Sequence, residues 1–116
     1  MIPKMIKYSH KQEKLRIAAY CRVSTNYPEQ LGSLEIQKSY FETMIRENPN
    51  WQFVKIYSDV GSALRTNSRP GYRQMILDGE KGLFDLVLVK SLSRFGRDTI
   101  ETLTQIRKQK WRILIP

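Results

Sequence analysis

Four short apolar segments recur along the chain, each bounded by polar or turn-forming residues. They lie at residues 15–21 (LRIAAYC), 52–57 (QFVKIY), 84–92 (FDLVLVKSL) and 112–115 (RILI). Their length and their content of branched and aromatic side chains are typical of β-strands. The nearly unbroken apolar run that opens the third segment is characteristic of a parallel strand buried on both faces. We therefore predict four strands in a mainly parallel sheet.

Between the first two strands, apolar residues recur at helical spacing. Gly32 and Ser33 can start a helix, and Asn48 and Pro49 can end it. The apolar positions of this helix are Ile36, Tyr40, Met44 and Ile45.

Two further helices are predicted. Residues 69–82 have Pro70 near the first turn and Gly79 at the end of the apolar pattern, which consists of Tyr72, Met75 and Ile76. Residues 98–110 place acids early and bases late, as the helix dipole favours. Strands and helices thus alternate, which predicts an α/β fold: a mainly parallel central sheet flanked by helices, with right-handed crossovers.

Composition limits the class of protein. A chain of 116 residues makes one ordinary domain, and no apolar run approaches the roughly 18 residues of a membrane span. Cys21 and His10 are the sole cysteine and histidine, so we expect no zinc site of the usual kind, no metal and no cofactor. The start of the chain does not resemble a signal peptide, and we expect a cytoplasmic location.

The formal net charge of +9 predicts a polyanionic partner, either nucleic acid or an acidic membrane surface. Some of the excess lies in residues 1–13, which we interpret as a basic N-terminal tail that could also serve only to solubilise the chain. Residues 14–116 are predicted to form the domain, with a loop rich in turn-forming residues at 59–71.

Polar side chains cluster where three predicted strands end. They are Arg22 and Ser24 after the first strand, Asp59 and Ser62 after the second, and Arg94 and Arg97 after the third. Ligands of open α/β sheets bind at this edge, so the clusters are expected to converge. Arg94 and Arg97 share one helix face if the segment is helical, and paired guanidinium groups suit a phosphate.

Ser24 has two interpretations. A hydroxyl among arginines can attack a phosphodiester, because the cations offset charge on the nonbridging oxygens without a metal. A serine at a strand end can also be a helix cap or a turn residue. Cys21, on a buried strand, is interpreted as a small core residue.

Four motifs resemble one protein family. The segments YCRVST, SLEIQ, RPGY and LVLVKSLSRFGRD, in this order, resemble the catalytic domain of the serine site-specific recombinases, the resolvase and invertase family. The resemblance covers roughly residues 15–110, and the second and fourth motifs are most similar to the large-recombinase branch.

The resemblance implies a DNA strand transferase that works without metal on double-stranded DNA. It implies that Ser24 attacks DNA to form a 5′-phosphoserine link, with phosphate-binding arginines and supporting residues around it. The matching positions are Arg22, Arg69, Arg94 and Arg97 for the arginines, and Gln37, Asp59 and Ser62 for the support. It further implies homodimers that pair into a tetramer, and active sites that can be incompletely assembled without DNA.

The chain departs from the family in three places. Ser93 replaces the aspartate usual in resolvases and invertases, and the loop after Asp59 lacks the GISGT pattern, which weakens the match of Ser62. The chain ends at Pro116, before the family's long interface helix and DNA-binding domain, so we expect this fragment to be inactive alone. Two alternatives are a noncatalytic dimerisation or DNA-interaction module and a small-nucleotide-binding α/β domain, although the first loop is poor in the glycines that the latter needs.

Overall fold

The structure is a computed structural model, and it describes residues 14–61, 69–90 and 111–115. In this part of the chain four strands form one sheet: β1 (Leu15–Val23), β2 (Trp51–Val60), β3 (Leu86–Leu88) and β4 (Arg112–Leu114). Their order across the sheet is β2-β1-β3-β4, and every neighbouring pair is parallel. The predicted α/β fold is confirmed.

Two helices, α1 (Pro28–Glu47) and α2 (Pro70–Glu80), cover the sheet. Successive residues of β1 belong to two separate apolar clusters, because side chains alternate between the faces of a strand. Ala18 and Tyr20 pack in the cluster that contains α2, and Ala19 and Cys21 pack in the cluster that contains α1. The two helices therefore lie on opposite faces. The helix predicted at 98–110 lies outside the described residues.

Helix α1 begins one turn earlier than the sequence pattern predicted. Pro28 occupies the first turn with Glu29, and the cap residue Tyr27 precedes them in extended conformation, so Gly32 lies inside the helix instead of starting it. Proline suits this position because the first turn has no use for its missing N–H. The predicted end is correct, since the N–H of Asn48 donates to the carbonyl of Ile45.

The buried face of α1 also differs from the prediction. Its buried residues are Leu34, Phe41 and Ile45, of which Ile45 was predicted. Ile36 and Tyr40, which were expected on the apolar face, are 72% and 60% exposed.

Helix α2 has the predicted buried residues Tyr72, Met75 and Ile76, but it continues to Glu80. Gly79 does not end it. A Cβ at Gly79 would collide with the indole of Trp111, which is fully buried and packs edge-on against Phe84 at 5.4 Å between ring centroids. The chain turns instead at Gly82, where φ is +75°.

Strand β3 is shorter than the predicted 84–92. Its hydrogen-bonded pairing covers Leu86–Leu88, while Phe84 before it turns into the core beside Trp111. Val89 is also fully buried, and its N–H donates to the carbonyl of Leu114 at 3.0 Å. Apolar character thus extends beyond the strand, which is why the pattern overestimated its length.

A bulge interrupts the pairing of β1 with β2. Ile17 pairs with Phe53, but Ala18 pairs with Lys55, so Val54 is an extra residue in β2. Such an insertion reverses which side chains face which side of the sheet. Beyond it, Asp59 pairs with Arg22 and faces the α2 side.

At the opposite end of β1, Arg16 holds the turn before β3. Its Nε and Nη2 donate to the two carboxylate oxygens of Asp85 at 3.1 and 2.8 Å, and its Nη1 donates to the carbonyl of Gly82 at 2.7 Å. Within the ranges that the structure describes, no helix has the length and apolar composition needed to cross a bilayer.

Candidate functional site

The candidate site lies at the carboxyl ends of β1 and β2. Arg22 and Asp59 are direct neighbours in register, although both side chains are only 6% exposed. Val23 and Val60 follow as the last pair, and the N–H of Gly61 donates to the carbonyl of Val23 at 2.8 Å. The parallel pairing thus brings one cation and one anion to the same edge of the sheet.

Arg22 is held by the backbone of the neighbouring strand. Its Nη1 donates to the carbonyl of Gly61 at 2.6 Å. Gly61 has a φ of +132°, a conformation that side-chain-bearing residues rarely adopt, so glycine is required where the chain leaves β2. The turn at Gly61 therefore aims a carbonyl at the guanidinium of Arg22.

Ser24 lies just past the end of β1 and is exposed. Its Oγ donates to the side-chain carbonyl of Gln30, in the first turn of α1, across a long 3.4 Å. The hydroxyl is thus directed toward the start of α1, whereas Arg22 is bonded on the β2 side. A weak, exposed hydrogen bond of this kind leaves the oxygen accessible to an approaching ligand.

Asp59 joins the site to helix α2. Its carboxylate accepts hydrogen bonds from the backbone N–H groups of Gly71 and Tyr72, both at 2.8 Å, and from the hydroxyl of Tyr20 at 2.7 Å. The first two stabilise the amino end of α2, where unpaired N–H groups and the helix dipole favour a negative charge. Gly71 permits this approach, because a Cβ there would collide with the carbonyl of Ser58.

Arg69, at the cap position of α2, is 1% exposed. Its Nε and Nη2 donate to the hydroxyl of Tyr20 at 3.1 and 3.0 Å, and its guanidinium lies over the ring of Tyr72, 4.3 Å from the centroid. Tyr20 therefore accepts from Arg69 while it donates to Asp59. The three side chains form one buried network at the edge of the sheet.

Burial keeps two titratable groups near the site protonated. It raises the pKa of Tyr20 well above its ordinary value, and the hydrogen bond to Asp59 adds to the rise against the opposing charge of Arg69. Burial also raises the pKa of Cys21 to about 12, so this thiol is a poor nucleophile.

The predicted site residues have different positions. Arg22, Asp59 and Arg69 lie in or beside one buried region, and Gln37 is partly exposed on α1. The remaining predicted site residues, Ser62, Arg94 and Arg97, lie outside the described residues. Across the ranges that are described, no three histidine, cysteine, aspartate or glutamate side chains are grouped as metal ligands would be.

Sequence reasoning missed two residues of this region. Tyr20 has the same strand parity as Arg22, and a buried tyrosine hydroxyl needs a hydrogen-bond partner, which is the signal that would have found it. Gln30 becomes a neighbour of Ser24 only because α1 starts at Pro28. Recognising the proline as a helix start would have placed it.

Comparisons with known proteins agree with this architecture. The family model for the resolvase N-terminal domain matches residues 17–115. A curated resolvase/recombinase from Pseudomonas putida is 34% identical over 94 residues, which cover 81% of this chain and 45% of that protein. The chain thus spans about half the length of this relative.

Solved structures show the same fold. A resolvase family site-specific recombinase from Streptococcus pneumoniae is 30% identical, with a TM-score of 0.70 over 87% of this chain and 71% of that one. The C-terminal catalytic domain of an IS607-like serine recombinase superposes with a TM-score of 0.76 at 24% identity, covering 87% of this chain and 68% of that one. With a four-stranded parallel sheet and a family match over most of its length, the chain belongs to the resolvase N-terminal domain family of recombinases.

Proposed function

We propose that the chain is the catalytic domain of a site-specific DNA recombinase that cuts and rejoins double-stranded DNA through Ser24. The observation that carries the proposal is the accessible Ser24 hydroxyl just past the end of the central strand, two residues after Arg22. This edge of an open α/β sheet is where ligands bind. Family membership supports recombination as the reaction.

The bond exchange conserves atoms and charge. The Oγ of Ser24 forms a bond to the phosphorus of a DNA phosphodiester while the bond from phosphorus to the 3′-oxygen breaks. The serine proton leaves to an acceptor, and the departing 3′-oxygen takes up a proton to become a free hydroxyl. Attack of a 3′-hydroxyl on the phosphoserine reverses the step and reseals the strand.

Water is the proton acceptor that we propose. The carboxylate of Asp59 already accepts three hydrogen bonds from Tyr20, Gly71 and Tyr72, which leaves it committed to the start of α2. Its role in the reaction is to hold that helix and, through Tyr20, Arg69.

Fixed guanidinium groups take the place of a metal ion in this proposal. Arg22 lies two residues before Ser24 and is held by the Gly61 carbonyl, and we assign Arg22, Arg69, Arg94 and Arg97 to the same phosphate. Guanidinium groups remain charged at any working pH and bind phosphate oxygens in pairs. Gln37 and Ser62 are assigned supporting positions.

The proposed partners are double-stranded DNA and other copies of the protein, as homodimers that pair into a tetramer. Because the chain spans 45% of its curated relative, we assign recombination to a longer protein that contains this domain. We propose residues 14–116 as part of the catalytic domain and residues 1–13 as a basic tail.

The test is to trap the reaction of the full-length protein on a nicked suicide DNA substrate and to locate the phosphorylated residue by mass spectrometry. We expect the adduct on Ser24. The Ser24→Ala variant is expected to bind its DNA site and form no adduct, whereas Ser39→Ala, which removes an exposed serine of α1, is expected to form it normally. An adduct on another residue would refute the proposal.

Two further variants test how charge is neutralised. Arg22→Ala is expected to slow cleavage by about 100-fold or more, as loss of one preorganised donor to a transition-state oxygen does. Cleavage is expected to persist in a chelator, and its loss there would contradict the metal-independent reaction. Binding of DNA without an adduct would identify the protein as a noncatalytic DNA-interaction module. Binding of mononucleotides alone would identify it as a small-nucleotide-binding α/β domain.

A further inference from the structure

Helix α1 exposes an apolar face that the sheet does not cover. Ile36 and Tyr40 lie four residues apart on this face and are 72% and 60% exposed, while the core of the domain takes the opposite side. Two large apolar side chains exposed side by side form a patch that a docked segment can cover.

The face continues into an open groove toward the end of the helix. One part is lined by Glu35, Ile36 and Tyr40, and the next part by Tyr40, Met44 and Glu47, which brings the groove to the turn at 48–50. We call this surface the α1 groove. The part beside Ile36 is mainly apolar, and the part that reaches the turn at 48–50 is more polar. Glu35 and Glu47 lie at its two ends.

The charge of α1 is opposite to that of the chain. The helix has four glutamates, at positions 29, 35, 42 and 47, against the two bases Lys38 and Arg46, whereas the chain carries a net +9. Arg46 is paired with Glu42 at 2.8 Å and Lys38 with Glu35 at 3.3 Å, but no cation of the described residues pairs with Glu47. The α1 groove therefore repels DNA phosphates and favours a cationic, partly apolar segment.

The first strand begins beside the groove. The N–H of Leu15 donates to the carbonyl of Asn50 at 3.0 Å, and Asn50 is itself a lining residue. Leu15, the first residue of β1, is therefore bonded directly to the end of the α1 groove.

The preceding residues match the groove in charge and polarity. Residues 1–13 contain three lysines against one glutamate, interspersed with apolar side chains at Ile2, Met5, Ile6 and Tyr8. Residues 6–13 span about 27 Å when extended, and the helix from Ile36 to Glu47 is about 17 Å long. The segment is long enough to reach every part of the groove.

We propose that residues 1–13 dock in the α1 groove of the same chain, with apolar side chains on Ile36 and Tyr40 and a lysine against Glu47. Docking covers the apolar face of the helix and gives the carboxylate of Glu47 a cationic partner. The tail is then an intramolecular partner of the catalytic domain, and DNA phosphates are not its ligand in the free protein.

Paramagnetic relaxation enhancement in the 116-residue chain tests the proposal. A nitroxide is attached at Ser9→Cys, and Cys21 does not compete because it is 1% exposed and burial raises its pKa. We expect selective loss of the amide signals of residues 40–50, with those of α2 retained. The double change Ile36→Ser and Tyr40→Ser is expected to abolish this loss.

Two controls distinguish docking of the tail in the α1 groove from nonspecific contact and from binding of a second copy of the chain. Leu77→Ser removes a side chain that is 51% exposed on α2 and is expected to leave the signal loss unchanged. In a second sample, spin-labelled protein without ¹⁵N is mixed with ¹⁵N protein that lacks the nitroxide. We expect no broadening of the amide signals in this sample. Equal broadening across the molecule, or broadening only in the mixed sample, would overturn the proposal, the latter by assigning the groove to a second copy of the chain.

Discussion

The hydroxyl of Tyr20 connects the two charged groups at the start of α2. It donates to Asp59 and accepts from Arg69, and all three side chains are less than a tenth exposed. Buried polar groups are costly when they lose a partner, and more so when they are charged. The arrangement of Asp59 and Arg69 therefore depends on the uncharged hydroxyl of Tyr20, which was not among the predicted site residues.

Removing that oxygen provides a test at the scale of one residue. Tyr20→Phe is expected to lower the free energy of unfolding by about 1–3 kcal/mol, because Asp59 and Arg69 each lose a buried partner. Tyr40→Phe removes a hydroxyl from a side chain that is 60% exposed, and a change within about 0.5 kcal/mol is expected. Urea unfolding of the wild type and the two variants measures both changes in the free energy of unfolding. Equal stability of all three proteins would show that the hydrogen bonds of Tyr20 to Asp59 and Arg69 do not stabilise the fold.

Some of the site's arrangement followed from the sequence and some did not. Parallel strands end at one edge, which predicted that Arg22 and Asp59 would be neighbours, and they pair in register. The direction of each side chain was not predictable, because it depends on partners distant in sequence: Gly61 for Arg22 and the helix end for Asp59. A residue type and its spacing do not specify such contacts.

At the scale of the elements, two helical glycines are expected to respond oppositely to the same change. Gly32→Ala in α1 adds a Cβ that meets nothing within 4 Å, and it is expected to stabilise the protein by about 0.5–1 kcal/mol through helix propensity. Gly79→Ala in α2 would press on the indole of Trp111 and is expected to destabilise by about 1–3 kcal/mol. Thermal unfolding compares them, and stabilisation by both would contradict the close packing of α2 on Trp111.

Helix α1 shows why a helix is easier to predict than its orientation. Apolar residues occur on more than one side of this helix. One helical stripe runs through Ile36 and Tyr40 and another through Leu34, Phe41 and Ile45, and both fit the helical periodicity. The sheet buries the second stripe, a choice made by tertiary packing that local spacing does not encode. The alternation of strands and helices, by contrast, is a property of the sequence itself and predicted the fold class correctly.

At the scale of the whole molecule, the ion pair of Arg16 with Asp85 links stability to pH. The hydrogen bond from Arg16 lowers the pKa of Asp85 from its ordinary value, so the pair stabilises the fold above the unfolded pKa of about 3.9 and stops doing so as the pH falls through the folded pKa. Because both side chains are more than a third exposed, the effect should stay below about 1 kcal/mol.

Asp85→Asn isolates this contribution. We expect the wild type to be more stable than the variant at pH 7 and the difference to shrink by about pH 3, since protonation then removes the same charge. Urea unfolding at both pH values measures the difference. A gap that widens on acidification would show that Asp85 is not the acid-sensitive partner.

The net charge of the 116-residue chain predicts how it binds DNA. Attraction to phosphates should give weak binding without sequence preference, with Kd of about 10⁻⁴–10⁻⁶ M at physiological salt and a steep loss as salt rises. Fluorescence anisotropy with two unrelated duplexes over a salt series measures it. Tight binding to one duplex alone at physiological salt would contradict this expectation.

The bulge at Val54 determines where the chain around β2 can change in length. Asp59 faces Tyr20 because one extra residue precedes it, so adding or removing a residue anywhere from 55 to 58 would turn the carboxylate toward α1 and away from α2. A residue added in the turn at 48–50 lengthens only a surface connection and preserves the alternation. The number of residues between the bulge and Asp59 is therefore fixed by the site, and a one-residue insertion should be tolerated in the turn at 48–50 but not between the bulge and Asp59.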